Sequence, residues 1–203
     1  MSWFGACIYD RVMSATEDAC LAAWRREILA GVCGTVCEIG AGTGVNLAHY
    51  PKGYDRLLLT EPDRHMRKKL EQRADGRAHV EVIDAGATRL PIDSGAVDTV
   101  VSTLVLCSVE DPGAVLSEAR RVLRPGGQLL FLEHVASDDA DRLRWQRRIE
   151  PIWKRLAGNC HLTRRTEELI ESAGFSVHEV QRESMRKAFP FVRPTVRGSA
   201  IKS

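Results

Sequence analysis

Three glycines at alternate positions, Gly40, Gly42 and Gly44, stand directly behind the apolar run 36–39, whose one acid is Glu38. The run reads as a buried strand and the glycines as a tight turn with a helix behind it. Glycine supplies the positive φ such a turn needs and leaves no Cβ between backbone and ligand. The spacing excludes the dinucleotide fingerprint GxGxxG, because position 45 is Val45. About twenty residues on, the apolar run 54–60 closes on Glu61. An acid at that place in a βαβ unit accepts from a ribose hydroxyl. Asp84 follows a third run, 80–83, and His134 ends a later one, 128–135. The carboxyl ends of parallel strands are where such sheets bind ligands.

The elements that must position these residues follow in order. Ser14 with Glu17 makes a capping box for a helix over 16–30, with Leu21, Trp24, Ile28 and Leu29 on one face. A short helix behind the glycines stops at Pro51. Strands are predicted at 54–60, 80–83, 96–102 and 128–135, and helices at 62–73 and 112–123, the latter stopped by Arg124-Pro125-Gly126-Gly127. This alternation predicts an α/β fold, a Rossmann-like doubly wound sheet of seven strands. It is mostly parallel, with an antiparallel C-terminal hairpin from strands 175–183 and 195–201. A helix over 138–157 is expected to break near Pro151, and Thr163 to cap another that Gly174 ends.

The chain of 203 residues suits one domain, 1–203. It divides into a terminal helix or lid (1–30), a cofactor-binding core (34–135), and substrate-side helices with the edge hairpin (136–203). With 44% apolar and 28% charged residues the composition is that of a globular protein, and a net charge of +2 gives no reason to expect nucleic acid. Six cysteines form no CxxC pair and no zinc-ligand spacing, so no metal is expected and the thiols read as reduced. No stretch reaches the roughly 20 apolar residues of a spanning helix, and no signal peptide is evident. The expected location is the cytoplasm. Residues 1–15 carry Trp3, Phe4, Ile8, Tyr9 and Met13, which suit either a packed terminal helix or a lid over the substrate. In 138–157, Leu143, Ile149 and Ile152 make part of an apolar face beside Trp145 and Trp153. Six Arg and Lys residues crowd the same segment, as a solvated face or a surface for anionic lipid.

GxGxG with an acid two residues ahead resembles the first motif of class I methyltransferases that bind S-adenosylmethionine. LVLCSV (104–109), RRVLRPGG (120–127), EHVA (133–136), EPIWK (150–154), NCHLTRRT (159–166) and VRPTVRGSAIK (192–202) resemble the methyltransferase-like thiol S-methyltransferases, from Gly34 to the C-terminus. A broader likeness, through the first motif and LPI (90–92), runs to the quinone C-methyltransferases. Members of the thiol family carry an apolar membrane anchor ahead of the domain. None is seen in this sequence, so membrane association is not expected.

The resemblance implies S-adenosylmethionine as cofactor and a small-molecule acceptor. Glu38 suits the cofactor's ammonium, and the amides of Gly40, Ala41, Gly42 and Gly44 its carboxylate. Asn46, Thr103 and Leu104 join them, and Glu61 with Pro62 takes the ribose. Asp84 and Ala85 lie by the adenine, and Met66 packs on adenine or on the core. Tyr9, Cys107, His134 and Trp145 are the substrate candidates. The expected reaction is S-methylation of an alkyl thiol. O- or C-methylation of a phenol or quinol, or a non-catalytic cofactor-binding regulator, are the alternatives. A thiol of pKa about 8.5 needs little help to ionise, whereas a phenol near 10 does. His134 is the candidate base, or else a histidine satisfied by backbone.

Overall fold

The computed structural model describes residues 13–203. The expectation for Tyr9 and the rest of the N-terminal segment lies outside the described residues. The strands are β1 (Gly34–Ile39), β2 (Tyr54–Thr60), β3 (Val80–Ile83), β4 (Val97–Thr103), β5 (Leu123–His134), β6 (Phe175–Ser184) and β7 (Pro194–Lys202). They form one seven-stranded sheet in the order β3-β2-β1-β4-β5-β7-β6. Pairings from β3 through β5 are parallel, while β7 runs antiparallel to both β5 and β6.

The period-2 alternation of the strands sorts their side chains to two faces. Val36, Leu57, Leu59, Val101 and Leu130 pack with Leu29 of helix α1 (Ala22–Leu29) and Leu70 of α2 (Arg64–Ala74). Their neighbours Cys37, Leu58, Val100, Leu129 and Phe131 face the other way. They meet Val115, Leu116, Ala119 and Val122 of α3 (Pro112–Val122) and Ile170 of α5 (Thr166–Ser172). Helices on both faces of a mostly parallel sheet make the expected doubly wound fold. From β1 the chain steps outward to β2 and β3, then returns to β4 on the other side. The crevice between the carboxyl ends of β1 and β4 is therefore the switch point where such sheets take ligands.

Five local expectations are corrected. Residues 13–16 are already helical, and a π-helical turn (Glu17–Leu21) follows. Ser14 lies within these helical residues, and Glu17 turns its carboxylate to Arg25 at 2.8 Å, so the expected capping box does not form. The predicted break at Pro151 is absent. Helix α4 (Ala140–Leu156) runs through it, with Arg147, whose carbonyl loses its partner, exposed to water. Thr163 does not cap α5, because its hydroxyl and amide both go to the Glu150 carboxylate. The apolar face of α4 is only partly the one expected: Ile149 and Trp153 pack inward as expected. Trp145 (58% exposed) and Ile152 (63%) point to solvent, and the helix is anchored by buried Gln146. Finally, β5 begins earlier than predicted. Val97 pairs Leu123 and Thr99 pairs Gln128, so residues 124–127 bulge out of the ladder.

Candidate active site

The turn behind β1 is built as its glycines require. Gly40, Gly42 and Gly44 have φ of +58, +60 and +84°. A Cβ on Gly40 would meet Val105 at 2.8 Å, and one on Gly44 would meet Leu70 of α2 at 2.7 Å. Gly42 differs. Apart from the Gly40 carbonyl at 4.0 Å, nothing lies where its Cβ would be. That open space is what a ligand pressed against the backbone needs.

Glu61 closes the same turn from β2. Its buried carboxylate accepts from the Gly42 amide and the Asp63 amide, each at 2.8 Å. Burial raises its pKa. Two amides leave a carboxylate with acceptor capacity for a diol, so the geometry fits a ribose above Gly42. Pro62 is exposed beside it, and Met66 is buried. Asp84, by contrast, is held by Arg67 at 2.7 Å, and the Ala85 amide bonds the Ile83 carbonyl. A hollow of about 650 Å³ opens along Asp84, Ala85, Arg89 and Pro91.

Glu38 is not a surface acid. It is buried, with Asn46 Nδ2 at 2.9 Å on one oxygen and the Tyr50 hydroxyl at 2.7 Å on the other. Burial lifts its pKa to about 7, against the pull of both hydrogen bonds and of Arg25. Asn46 also donates to Thr103 Oγ1 (3.0 Å), and Arg25 donates to Asn46 Oδ1 (2.8 Å) and Thr103 Oγ1 (3.0 Å). Arg25 and Tyr50 escaped the sequence reading. Arg25 had a signal, since it shares a helical face with Leu21, Ile28 and Leu29, where a charge has to be paired. A buried network carrying one cation and one acid at the mouth of the β1–β4 crevice suits the two charged ends of an amino acid.

Leu104 follows β4 with φ of +59°, a strained value for a branched side chain. Behind it, the wholly buried Glu133 carboxylate accepts from Ser102 Oγ (2.7 Å), the Val105 amide (3.1 Å) and the Cys107 amide (3.1 Å). Arg164 donates to the Leu106 and Val109 carbonyls, the His161 amide to the Cys107 carbonyl (2.7 Å), and Asn159 to the Ser108 carbonyl (2.8 Å). The loop 104–109 is thus clamped between β5 and the segment after α4.

The structure brings Cys107 and His134 together, and adds Cys160, which the sequence reading left aside. His134 Nδ1 lies 3.3 Å from Cys160 Sγ and 3.9 Å from Cys107 Sγ, all three residues being buried. The hydrogen bond between the two thiols raises the Cys107 pKa and lowers that of Cys160. Cys37, buried in the sheet, is pushed up to about 12 by desolvation, and Cys33 is exposed, so that pair makes no site. Trp145, turned to solvent, is not drawn into this group.

Residues 37–131 match the family model described as a methyltransferase domain. The human thiol S-methyltransferase TMT1B is 39% identical over 86% of this chain and 74% of its own length. The human thiol S-methyltransferase TMT1A is 36% identical over 83% of this chain and 70% of its own. A geranyl diphosphate methyltransferase solved with its S-adenosylmethionine superposes with a TM-score of 0.69, covering 90% of this chain and 84% of that one. At 14% identity that likeness shows the fold alone. With the glycine cradle, the Glu61 carboxylate and these relatives together, the chain belongs to the thiol S-methyltransferase family and is an S-adenosylmethionine-dependent methyltransferase.

Proposed function

We propose that the protein methylates a small alkyl thiol on sulfur. The observation that carries this reading is the chain-long identity to relatives named thiol S-methyltransferases, which extends beyond the cofactor half into the acceptor side. The chemistry of that side supports it. Around Cys107 and Cys160 pack Leu162, Val192, Leu104, Ile149 and Phe191, a lining that suits an apolar acceptor. His134 is the imidazole at this end. Its Nδ1 faces two thiols rather than a carboxylate, so it lacks the orienting acid of a conventional base pair.

The cofactor supplies a methyl group already activated on a sulfonium. What remains for the chain is alignment and exclusion of water, which is worth on the order of 7–11 kcal/mol. Gly40 to Gly44 and Glu61 hold the nucleoside end by their backbone and carboxylate. Glu38, Asn46, Thr103 and Arg25 fix the amino-acid end. The clamped loop 104–109 sets the floor on which an acceptor lies. We assign the cofactor cradle to these residues, with Leu104, Cys107 and His134 toward the acceptor.

The test is a panel of thiols, phenols, quinols and amines offered with radiolabelled cofactor. Alkyl thiols are expected to turn over fastest, with a rate that rises as the thiol ionises. Faster turnover of any phenol or quinol would overturn the sulfur assignment and leave the methyltransferase assignment intact.

A further inference from the structure

We propose that Cys107, His134 and Cys160 form a three-ligand site for one thiophilic divalent cation of the Zn²⁺ type, with a fourth position for an exogenous thiolate. The site stands on its own geometry, and only the fourth ligand rests on the thiol reading above.

Two thiolates and one imidazole nitrogen match the donor set of three-ligand zinc sites that keep an open position. Bond lengths of about 2.3 Å to sulfur and 2.0–2.1 Å to nitrogen, set tetrahedrally, put sulfur and nitrogen about 3.6 Å apart. Here Nδ1 stands 3.3 and 3.9 Å from the two sulfurs, and the three donor atoms all lie within 4.8 Å of one another. Among the described residues this is the one such group. Two thiolates also neutralise a dication, which a buried place requires.

One unpartnered buried atom borders the same spot: among the described residues, His134 Nε2 is buried without a hydrogen bond. The Trp153 indole leans on Cys160, whose pKa it helps to lower. Trp153 packs with Cys107 and Cys160 in one cluster. A metal-bound thiolate is a strong acceptor for an indole N–H, and a metal on Nδ1 fixes the tautomer with the proton on Nε2. The surroundings are held in advance. The Cys107 amide is tied to Glu133 and its carbonyl to His161, and the Leu162 amide is tied to Glu150. The ligands come from three separate places, behind β4, at the end of β5 and behind α4, which is why no spacing motif announces them.

The site lies at the carboxyl edge of β4 and β5, one strand over from the glycine turn of β1. A thiol entering the fourth position gives its proton to solvent buffer as the metal–sulfur bond forms, with no change of oxidation state. A coordinated thiol is held as the thiolate, so no protein base is consumed.

The experiment titrates Co²⁺ into chelator-treated full-length protein and follows thiolate-to-cobalt absorption, with Zn²⁺ as competitor. One equivalent is expected to bind with the bands of two thiolates. Cys107→Ser and Cys160→Ser should each lose those bands, while Cys33→Ser and Cys37→Ser retain them. Cofactor affinity by calorimetry, unchanged in Cys160→Ser, shows that the variant is folded. Absence of saturable one-to-one binding, or two-thiolate bands that survive in folded Cys107→Ser or Cys160→Ser protein, overturns the site. An alkyl thiol added to the cobalt form should strengthen the thiolate band where its methyl thioether does not. An unmoved spectrum overturns the fourth-ligand assignment. Metal-free protein that still methylates thiols at full rate likewise removes the metal from the reaction and leaves the proposed function standing.

Discussion

The Glu61 carboxylate accepts the Gly42 amide at 2.8 Å, so the acid that ends β2 and the middle glycine of the turn behind β1 form one hydrogen-bonded unit. Neither half acts alone. The glycine leaves open space beside the turn, and the acid holds the turn while keeping acceptor capacity to spare, which is what the proposed cradle requires.

Replacing either should remove cofactor affinity by a different route. Gly42→Val places a branched side chain in the open space and forces φ of +60° on a residue that disfavours it. Glu61→Ala deletes charge-assisted bonds worth about 1.5–3 kcal/mol each, a weakening of about 10- to 100-fold per bond. Calorimetric titration with the cofactor measures both. Unchanged affinity in the two variants would falsify the cradle assignment.

Glu38 predicts a pH signature. Its folded pKa is raised to about 7 from an ordinary 4.5. The fold therefore favours the protonated form. That stability is fully present below about pH 4.5 and is lost as pH rises through about 7. Glu38→Gln should flatten this part of the stability profile in urea unfolding. If the cofactor ammonium meets Glu38, binding pulls the group toward carboxylate and releases a proton below pH 7. Binding heats near pH 6 should then depend on the buffer's ionisation heat in the wild type and not in the variant. Buffer-independent heats in the wild type would place the ammonium elsewhere.

Gln146 is the residue on which the sequence was hardest to read. The first three strands were legible because they are apolar runs that stop at a glycine or an acid, Gly40, Glu61 and Asp84. Predicted bounds for β2 and β3 agree with the structure to the residue. Helix α4 misled because its buried anchor is polar while three of its large apolar residues, Trp145, Ile152 and Leu156, are exposed and only Ile149 and Trp153 pack into the acceptor-side cluster. Gln146 accepts from the Ser137 amide (2.8 Å) and donates to the Val135 and Phe191 carbonyls (both 3.1 Å), replacing backbone partners the loops lack. The glycine turn was legible for the opposite reason: its residues are contiguous. Arg25 and Cys160 join their sites only through tertiary folding.

Gln146→Leu, close in volume, should therefore destabilise rather than improve packing. It leaves one buried amide and two carbonyls without partners, at about 1–3 kcal/mol for each group that water cannot reach. Urea unfolding is expected to show a loss of at least about 2 kcal/mol, with cofactor affinity little changed because α4 carries none of the residues assigned to the cofactor cradle. A neutral or stabilising substitution would show that these bonds are replaced by water.

Glu133 carries the last prediction, because it joins the acceptor loop to the sheet while its own carboxylate makes no hydrogen bond to the glycine turn. The loop meets that turn through the Val105 side chain beside Gly40. Its carboxylate is fully buried and takes a hydroxyl and two amides as donors. Glutamine keeps the shape but turns one acceptor oxygen into an NH₂ group, which sets a donor against the Val105 or Cys107 amide. The loop behind the strained Leu104 then has to shift, and with it the Cys107 side of the acceptor floor. Glu133→Gln should weaken cofactor Kd less than it weakens acceptor turnover, since only Val105 of the shifted loop packs on the glycine turn while Cys107 lies on the acceptor side. Acceptor kcat/KM should fall by about 10- to 100-fold, the cost of one unpaired buried donor. Glu133→Asp, which keeps the charge and shortens the reach, should recover part of the loss. Equal losses in cofactor Kd and acceptor kcat/KM would mean that Glu133 only holds the sheet together, and that the loop 104–109 does not define the acceptor side.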